Sequence, residues 1–375
     1  MILVIVIALF SVIALMVAHE FGHFIIAKRC GIRVDEFGIG YPPRLFGKKI
    51  GQTLYSINLI PLGAFVRVPG EDGGIEDYQS FVNLSMRKRV AIILGGVISF
   101  WVVAIILFSI VFSLGVDVPV GDEDTDAATK IQITKVLPDT PAAIAGIQEG
   151  DVIKWLAPTG ASYEDRAVTE ITKVKGFQDF ITGSNGAPVT MGIERNGKSV
   201  EINVIPRVSP PEGQGSLGIQ LERTANLIPK TAWYMAPYKG IIFCGDLTYK
   251  ATVSLVQLLA NLFSGKGLQK GAELSGPVGL MVFIARAAEM GVGFFLYFIA
   301  AISVLLAIFN LLPIPALDGG KLLFMAIEKI KGKPVSPKTE NSITSVFFFV
   351  LIGLSLFVTV RFDIPKLIDF VKNGF

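Results

Sequence analysis

Long apolar runs interrupt the polar pattern of this chain at four places. A helix needs about 20 mostly apolar residues to cross a bilayer, and four stretches reach or approach that length. They are residues 2–27, 90–116, 294–312 and 345–360. The pattern therefore predicts a polytopic α-helical membrane protein with about four transmembrane helices.

Between the second and third runs, short β-type segments alternate with turn residues. The segments are residues 130–136, 152–156, 188–194 and 199–205. Asn196-Gly197, between the last two segments, is a strong cue for a β-hairpin. Thr140 followed by Pro141 is typical of a helix N-terminus, with threonine as the N-cap and proline at the first position. The pattern predicts an inserted α+β domain outside the membrane.

A third type of region follows, in which residues 233–264 have the periodicity of an amphipathic helix. Trp233, Tyr234 and Tyr238 near its start are aromatic residues of the kind found at membrane interfaces. We expect this helix to lie along the outer membrane surface or to pack against the β-rich domain, and the sequence does not decide between the two. The four regions of the chain are thus residues 1–116, 117–225, 226–290 and 291–375.

The composition agrees with a membrane protein that carries a polar domain. Of the 375 residues, 51% are hydrophobic and 17% are charged, and the mean hydropathy is +0.59. Soluble domains carry about 25% charged residues. The net charge of +3 and the lack of a Lys/Arg-rich run argue against a nucleic-acid partner. Two cysteines, Cys30 and Cys244, are too few for a disulfide framework.

Basic residues predict the orientation of the spans. Ten Lys and Arg residues lie between the first two runs, and five lysines follow the third run. The positive-inside rule places both of these loops in the cytoplasm, so that residues 117–290 lie outside. The first run has no basic n-region and no small-residue cleavage site, so we expect a retained span rather than a cleaved signal peptide.

The first span contains a candidate metal site. His19-Glu20-Phe21-Gly22-His23 fits the H-E-x-x-H pattern, in which two histidines on one helix face bind zinc and the glutamate acts as general base. These are the only two histidines of the chain, and ionisable groups are costly within an apolar span. The alternative is a pair of core histidines beside a glutamate that extends to the membrane surface.

A hydrolytic zinc site takes three protein ligands and keeps one position for water. With no third histidine, the remaining ligand is a carboxylate or a cysteine. Asp318 is the only carboxylate in residues 294–327, and two prolines before it end the third span. His23 lies roughly 8 Å from the cytoplasmic end of the first span, and the third span ends on the same side. Cys30, beyond the membrane edge, is the poorer candidate, so the sequence predicts Asp318.

Residues 19–23 and 310–320 together resemble the paired motifs of the site-2 protease family of intramembrane zinc metalloproteases. The resemblance covers nearly the whole chain. It implies the zinc ligands His19, His23 and Asp318 and the general base Glu20. Asn310 matches a position that helps to hold the substrate backbone in that family, and an interhelical hydrogen bond is the alternative role. Residues 95–99 depart from the family, whose members often have Gly-Pro and then Asn there.

The inserted domain resembles the PDZ domain of the bacterial, sigma-E-regulating branch of that family. Residues 140–153 match its helix-and-strand core, and Leu217, Gly218 and Ile219 match the strand and loop that face a bound peptide. A PDZ groove binds by adding an extended segment to a sheet edge. A small β-rich domain without such a groove is the alternative. Residues 157–175 depart from the pattern, so peptide specificity is not carried over.

Residues 54–68 predict a short hairpin, with Leu59 in its first strand and Pro61-Leu62-Gly63 as its turn. The hairpin resembles the family's membrane re-entrant β-loop, whose edge pairs with an unwound substrate. Non-helical backbone is tolerated at membrane depth only where protein or a water-filled cavity covers it. A hairpin on the cytoplasmic surface is the alternative.

The resemblance implies a zinc metalloendopeptidase that cuts the transmembrane segments of single-span membrane proteins. Anti-sigma factor-like proteins and remnant signal peptides are the implied substrates, and the bacterial inner membrane is the implied location. The active site would lie toward the cytoplasmic side and the PDZ-like domain outside. The expected partners are these substrates and the lipid bilayer. The alternative from another class is a catalytically silent PDZ-bearing scaffold, whose structural zinc needs a fourth ligand.

Overall fold

A computed structural model describes residues 2–70, 80–122, 129–159, 169–195, 197–211, 214–264, 275–365 and 367–368, which divide into two compact units. The first unit comprises Met1–Leu114 and Thr231–Phe375, and the second comprises Gly115–Lys230. The helices are α1 (Ile2–Arg29), α2 (Met86–Leu114), α3 (Pro141–Ile144), α4 (Val174–Gly183), α5 (Ala236–Phe263), α6 (Pro277–Glu289), α7 (Val292–Asn310), α8 (Asp318–Lys331) and α9 (Pro337–Val358). The strands are β1 (Glu36–Ile50), β2 (Thr53–Arg67), β3 (Val116–Pro119), β4 (Thr129–Val136), β5 (Val152–Pro158), β6 (Thr169–Glu170), β7 (Val189–Arg195), β8 (Lys198–Val204) and β9 (Ile219–Ile228).

The four predicted spans are confirmed as helices α1, α2, α7 and α9, each long and apolar enough to cross a bilayer. Helix α9 begins before its apolar run because Ser336 caps it. The Ser336 hydroxyl accepts a hydrogen bond from the Thr339 N–H at 3.2 Å, and Pro337 occupies the first position. A search for apolar runs misses such a polar first turn.

Helix α2 is central to the packing of the first unit, since it contacts four other helices, α1, α5, α7 and α8. Its Val97, Ala104 and Phe108 are completely buried. Ser303 of α7 donates a hydrogen bond to the Phe100 carbonyl oxygen of α2 at 2.7 Å. A side-chain hydrogen bond of this kind joins two apolar helices where water is excluded.

Helix α5 runs antiparallel along α2. Gly240 packs against Ile105 and Ser109 of α2. Eight residues later, Thr248 Oγ1 accepts a hydrogen bond from Trp101 Nε1 at 3.2 Å. The later residue of α5 thus contacts the earlier residue of α2, so the two helices run antiparallel.

The helix predicted over residues 233–264 is confirmed as α5. It packs lengthwise on α2 and α7 within the helical unit, and neither predicted placement named these neighbours. Its packed stripe contains the small residues Gly240, Cys244 and Ala251. Small residues allow close helix contacts in membranes, whereas amphipathic periodicity alone does not say what a helix packs against.

Strands β1 and β2 form a small sheet within the first unit. The second half of β1 pairs antiparallel with the first half of β2 around a turn at Gly51, whose φ is +62°. Residues 36–39 of β1 lie between two parts of β2, because they pair with both 54–57 and 64–67. The sheet therefore has four segments in the order 44–50, 53–58, 36–39 and 64–67.

The chain reverses direction around the predicted turn at residues 61–63, although these residues fall within the bounds of β2. Residues 54–57 run in the same direction as 36–39 and residues 64–67 run in the opposite direction, so the reversal lies between Ile57 and Ala64. The two arms do not pair with each other as a simple hairpin does, because residues 36–39 lie between them, and a second turn lies at Gly51. The pairing with β1 passes from Ile60 to Ala64 across an irregularity, and Gly63 has a φ of +103°. Proline and glycine are typical of such a change of direction, and here they lie between the two arms of β2.

The second unit is built on an antiparallel sheet with the strand order β3-β9-β4-β5-β7-β8, and β6 pairs with β5. Ile131, Leu156, Met191 and Ile193 are fully buried at its core, together with Phe177 of α4. The four predicted strands are confirmed as β4, β5, β7 and β8, each within two residues of its predicted bounds. The alternation of short β-type segments with turn residues in the sequence therefore predicted this sheet correctly.

The predicted turns of this unit agree with the structure where it is described. Thr140 caps α3, since its Oγ1 accepts a hydrogen bond from the Ala143 N–H at 3.4 Å and Pro141 follows it. Strands β7 and β8 form the predicted hairpin. Gly197 in its turn has a φ of +76°, and Asn196 lies outside the described residues.

The second unit is longer at both ends than the predicted residues 117–225. Val116 at the start of β3 pairs with Ile228 at the end of β9, so the chain enters and leaves the sheet on neighbouring strands. In the first unit, the Thr231 N–H donates to the Phe112 carbonyl oxygen at 2.7 Å. This bond joins the two points where the chain leaves and re-enters the helical unit.

Candidate metal centre

Helix α1 presents the two histidines of the chain on adjacent turns of one face. His19 Nε2 and His23 Nε2 are 3.2 Å apart, and the two rings meet edge to face with centroids 4.6 Å apart. Only 13% and 14% of these side chains are exposed. The spacing of four residues produces this convergence because positions i and i+4 of a helix share a face.

Helix α8 begins with Asp318, after a tight turn that follows α7. The turn requires glycine at the next position, because a Cβ on Gly319 would lie 2.1 Å from the Leu312 carbonyl oxygen. Asp318 Oδ2 consequently lies 3.3 Å from His19 Nε2 and 3.5 Å from His23 Nε2. The predicted ligand residues from the two ends of the chain are thus brought together.

These three atoms are spaced as the ligands of one zinc ion are. Two ligand atoms at the usual zinc distances lie about 3.3–3.5 Å apart when the coordination is tetrahedral. Asp318 Oδ2 is buried and receives no hydrogen bond from the described residues. Within the described ranges, these residues form the only group of three His, Cys, Asp or Glu side chains that could hold one ion. Two imidazole nitrogens and a carboxylate oxygen suit zinc.

The His23 ring is oriented from α2. Its Nδ1 lies 2.9 Å from the Ile92 carbonyl oxygen. A carbonyl only accepts, so Nδ1 carries the proton and Nε2 offers its lone pair. Helices α1 and α2 can approach closely because Gly22 and Gly96 have no side chain. A Cβ on Gly22 would lie 2.3 Å from the Gly95 carbonyl oxygen, and a Cβ on Gly96 would lie 2.2 Å from His23 Nε2.

His19 is held by packing. Its ring stacks on Phe100 of α2, with centroids 4.7 Å apart and an interplanar angle of 14°. Its Nδ1 is buried and has no hydrogen-bond partner among the residues that the structure describes. Packing rather than a hydrogen bond therefore orients this ring.

Four residues of this environment lie outside the sequence-based prediction: Ile92, Gly95, Gly96 and Phe100. Ile92 acts through its backbone carbonyl, so no side-chain pattern reveals it. Two adjacent glycines in an apolar span were an available signal, because small residues mark close helix contacts. They belong to the stretch that departs from the family pattern.

The β1–β2 sheet reaches α1 beside the candidate metal ligands. A Cβ on Gly63 would lie 2.9 Å from Met16 Cε and 3.2 Å from the Tyr41 ring. Met16 is one helical turn before Glu20, so Gly63 lies near the middle of α1 rather than at its end. Burial, and then the negative charge of Glu20, raises the pKa of the Tyr41 hydroxyl, which stays a hydrogen-bond donor at neutral pH.

The other predicted substrate-binding residues of the first unit differ in their surroundings. In β2, Leu59 is 54% exposed and Pro61 is also exposed, whereas the side chain of Leu62 lies outside the described residues. Asn310 is the last residue of α7, and its Nδ2 donates to the Leu306 carbonyl oxygen at 2.9 Å. That hydrogen bond stays within one helix and joins no second helix.

The remaining predicted contacts lie in the second unit. Leu217, Gly218 and Ile219 line a cavity of about 500 Å³ between α4 and the start of β9. Phe177 and Ile181 of α4 face it from the other side. The cavity therefore has an apolar wall on each side.

Comparison with known proteins gives the family. The sequence profile of peptidase family M50 matches residues 7–354. A Clostridium perfringens protein named as a candidate zinc metalloprotease is 31% identical over 95% of this chain and 97% of its own length. The regulator of sigma-E protease RseP of Escherichia coli K12 is 30% identical, over 92% of this chain and 95% of its own. The zinc metalloprotease RasP of Oceanobacillus iheyensis is 28% identical, over 93% and 96%.

The family match agrees with the apolar helices and with the cluster of two histidines and one aspartate. The matched region contains both H-E-x-x-H and the turn that ends in Asp318. The chain therefore belongs to peptidase family M50, the site-2 protease family, and is a multi-pass membrane zinc metalloprotease.

Proposed function

We propose that this metalloprotease cleaves the transmembrane segments of single-span membrane proteins, within or beside the bilayer. Its zinc ligands are His19, His23 and Asp318, and Glu20 is the general base. One observation carries the proposal. Three ligand-type atoms from α1 and α8 converge to within 3.5 Å of one another, among helices apolar enough to span a membrane.

The chemistry that zinc supplies when bound is polarisation of the scissile carbonyl and activation of a water for attack. Glu20 takes the proton from the attacking water and gives it to the leaving amine. The Ile92 carbonyl oxygen keeps the His23 ring in the tautomer that directs Nε2 toward the site. Asn310, at the end of α7, contacts the substrate backbone.

The β1–β2 sheet receives the substrate. A transmembrane helix has its peptide groups hydrogen-bonded internally, so it must unwind before a peptide bond can be attacked. Residues 64–67 pair with 36–39 on one side, and among the described residues no strand pairs with their other side. An unwound segment adds there as a strand, near Gly63 and the exposed Leu59 and Pro61.

The second unit acts as a PDZ-like domain that screens substrates. Residues 219–222 of β9 pair with β4 on one side. Among the described residues, β3 and Val120 reach β9 only from Arg223 onward, and no described strand pairs with the other side of 219–222. This edge borders the cavity beside α4, to which Leu217, Gly218 and Ile219 contribute. An extended peptide fits this arrangement as an added strand, and a folded outer domain on the substrate would be refused.

The proposed location is the bacterial inner membrane, with the metal centre toward the cytoplasm and the PDZ-like domain outside. The basic loops of the sequence support this orientation. The name of the Escherichia coli relative, a regulator of sigma-E, supports anti-sigma factor-like substrates. Remnant signal peptides are the second proposed class.

The assignment of the base is tested with Glu20→Gln in purified full-length protein and a single-span test substrate. Zinc content stays at the wild-type level, whereas cleavage falls by about 10²–10⁴-fold, the usual contribution of a general base. Glu201→Gln, at an exposed glutamate of the second unit, is the matched control and cleaves normally. Wild-type cleavage by zinc-loaded Glu20→Gln contradicts the assignment.

The scaffold alternative needs a zinc ion closed by four protein ligands. The candidate group among the described residues has three members, which favours a site with a position left for water. Zinc-loaded wild-type protein that leaves every single-span substrate intact would support the scaffold instead.

A further inference from the structure

An ion pair joins the helix that begins with Asp318 to the helix that orients His23. Arg89 of α2 donates two hydrogen bonds to Glu328 of α8, with Nη1–Oε2 at 2.9 Å and Nη2–Oε1 at 2.6 Å. Only 13% and 20% of the two side chains are exposed. Two parallel bonds of this type fix both distance and direction, which a single contact does not.

The position of Arg89 on α2 connects this pair to the metal centre. Arg89 is one helical turn before Ile92, whose carbonyl oxygen lies 2.9 Å from His23 Nδ1. Two consecutive turns of α2 therefore act on the candidate ligands. Arg89 holds α8, which begins with Asp318, and Ile92 orients His23.

The position of Glu328 on α8 gives the pair its effect on Asp318. Glu328 lies roughly 15 Å along the helix axis from Asp318. Between them, Leu322 and Met325 pack with Phe24 and other residues of α1 and α2. Apolar packing sets how near α8 lies but tolerates small slides and rotations, whereas a metal ligand must be held within about 0.5 Å.

We propose that the Arg89–Glu328 pair is a positioning element of the zinc site, which sets the register of α8 on α2 and so the reach of Asp318 to the two histidines. The inference rests on the proposed ligand set. Neither residue touches the reacting atoms, so both are positioning residues. Loss of the pair weakens zinc binding and leaves the chemistry of the zinc-loaded enzyme nearly unchanged.

The test measures zinc affinity of purified full-length protein by competition with a chromogenic chelator. Arg89→Met and Glu328→Gln each bind zinc about 10–100-fold more weakly, the usual effect of losing a contact behind a metal ligand. At saturating zinc, both cleave a single-span substrate within a few-fold of wild type. Arg87→Met, at an exposed arginine two residues away, is the matched control and keeps wild-type zinc affinity.

The reversed pair, Arg89→Glu with Glu328→Arg, separates positioning from general damage. It recovers most of the zinc affinity that either single change loses. If the single variants do not fold, Arg89→Lys replaces them, because lysine keeps the charge but loses the two-pronged geometry, and an intermediate loss of affinity is expected. Wild-type affinity in all foldable single variants, or no recovery in the reversed pair, overturns the proposal.

Asp318→Asn shows whether a negative result means that the positioning role is wrong or that the proposed zinc ligands are wrong. If Asp318→Asn binds zinc as wild type does, the proposed ligands are wrong. If it loses zinc while Arg89→Met keeps it, only the positioning role is wrong.

Discussion

Glycines allow the close backbone contacts that position the candidate metal ligands. Gly22 allows α1 to meet the backbone of α2 at Gly95, and Gly319 allows the turn that points Asp318 at the histidines. In each case an added methyl group would overlap backbone atoms that have no freedom to move aside. The metal centre is therefore sensitive to residues that have no side-chain chemistry.

Gly22→Ala should damage the metal centre without touching a ligand. A Cβ there would lie 2.3 Å from the Gly95 carbonyl oxygen, so α1 and α2 must separate, at a cost of about 1–3 kcal/mol. Zinc affinity and cleavage both fall. Gly353→Ala in α9, where a Cβ meets nothing within 4 Å, is the control and changes neither. Wild-type zinc affinity in Gly22→Ala would show that the close crossing is dispensable.

The sequence predicts the residues whose chemistry is visible in their own side chains. His19 and His23 follow from helical periodicity, and Asp318 follows from being the only carboxylate at the end of an apolar run. The Ile92 carbonyl and the pairing of Arg89 with Glu328 do not follow. Both depend on which helix faces α2 and at what register, and a single sequence does not contain that information.

At the scale of elements, local signals predicted where helices and strands are more reliably than what they pack against. Helix α5 was predicted and its neighbours were not, because a stripe of small residues marks a contact without naming the partner. The proline and glycine of residues 61–63 predicted the reversal of the chain, but not the insertion of residues 36–39 between the two arms that it joins. Partner and register are set by tertiary packing.

Helix α4 shows an element whose start depends on a distant residue. Its N-cap, Lys173, makes no capping hydrogen bond. Asp122 instead accepts from the Val174 and Lys175 N–H groups at 2.9 and 2.8 Å, and Arg223 lies nearby. Partial burial alone would raise the pKa of this carboxyl, but these hydrogen bonds and then Arg223 outweigh it, so the pKa is lowered.

Asp122→Asn should destabilise the second unit at neutral pH by about 1 kcal/mol, because an amide has one acceptor oxygen for the two N–H groups that the carboxylate satisfies and has no charge to pair with Arg223. A lowered folded-state pKa stabilises the fold above the ordinary Asp range and loses that effect as the pH falls through it. The difference from wild type in urea unfolding should therefore shrink between pH 7 and pH 3. Asp179→Asn, at an exposed residue of α4, is the control. A difference that is independent of pH would contradict the capping role.

The whole molecule is divided so that the candidate metal ligands all lie in the helical unit. The second unit enters and leaves on neighbouring strands, β3 and β9. In the helical unit, Phe112 and Thr231 are joined by a backbone hydrogen bond. The chain therefore leaves and rejoins the helices at nearly one point, which is typical of an inserted domain.

Replacing residues 115–230 with a short Gly/Ser linker should leave zinc affinity within about two-fold of wild type, since a flexible linker readily spans such a short gap. Cleavage of substrates with a folded outer domain should rise relative to trimmed substrates, because the proposed screen is absent. Zinc competition and paired cleavage rates measure the two effects. Loss of zinc binding in a folded variant would show that the two units are not independent.

The candidate zinc ligands are synthesised far apart in time, because they lie far apart along the chain. His19 and His23 emerge with the first helix, and roughly 300 residues separate them from Asp318, which takes about 15–60 s at the usual rate of translation. With the proposed ligand set, the nascent chain has only two of its three zinc ligands while α1, α2 and α7 are being inserted. We therefore expect products that stop before α8 to be inactive, so that neighbouring proteins at the insertion machinery are not cleaved before α8 has been made.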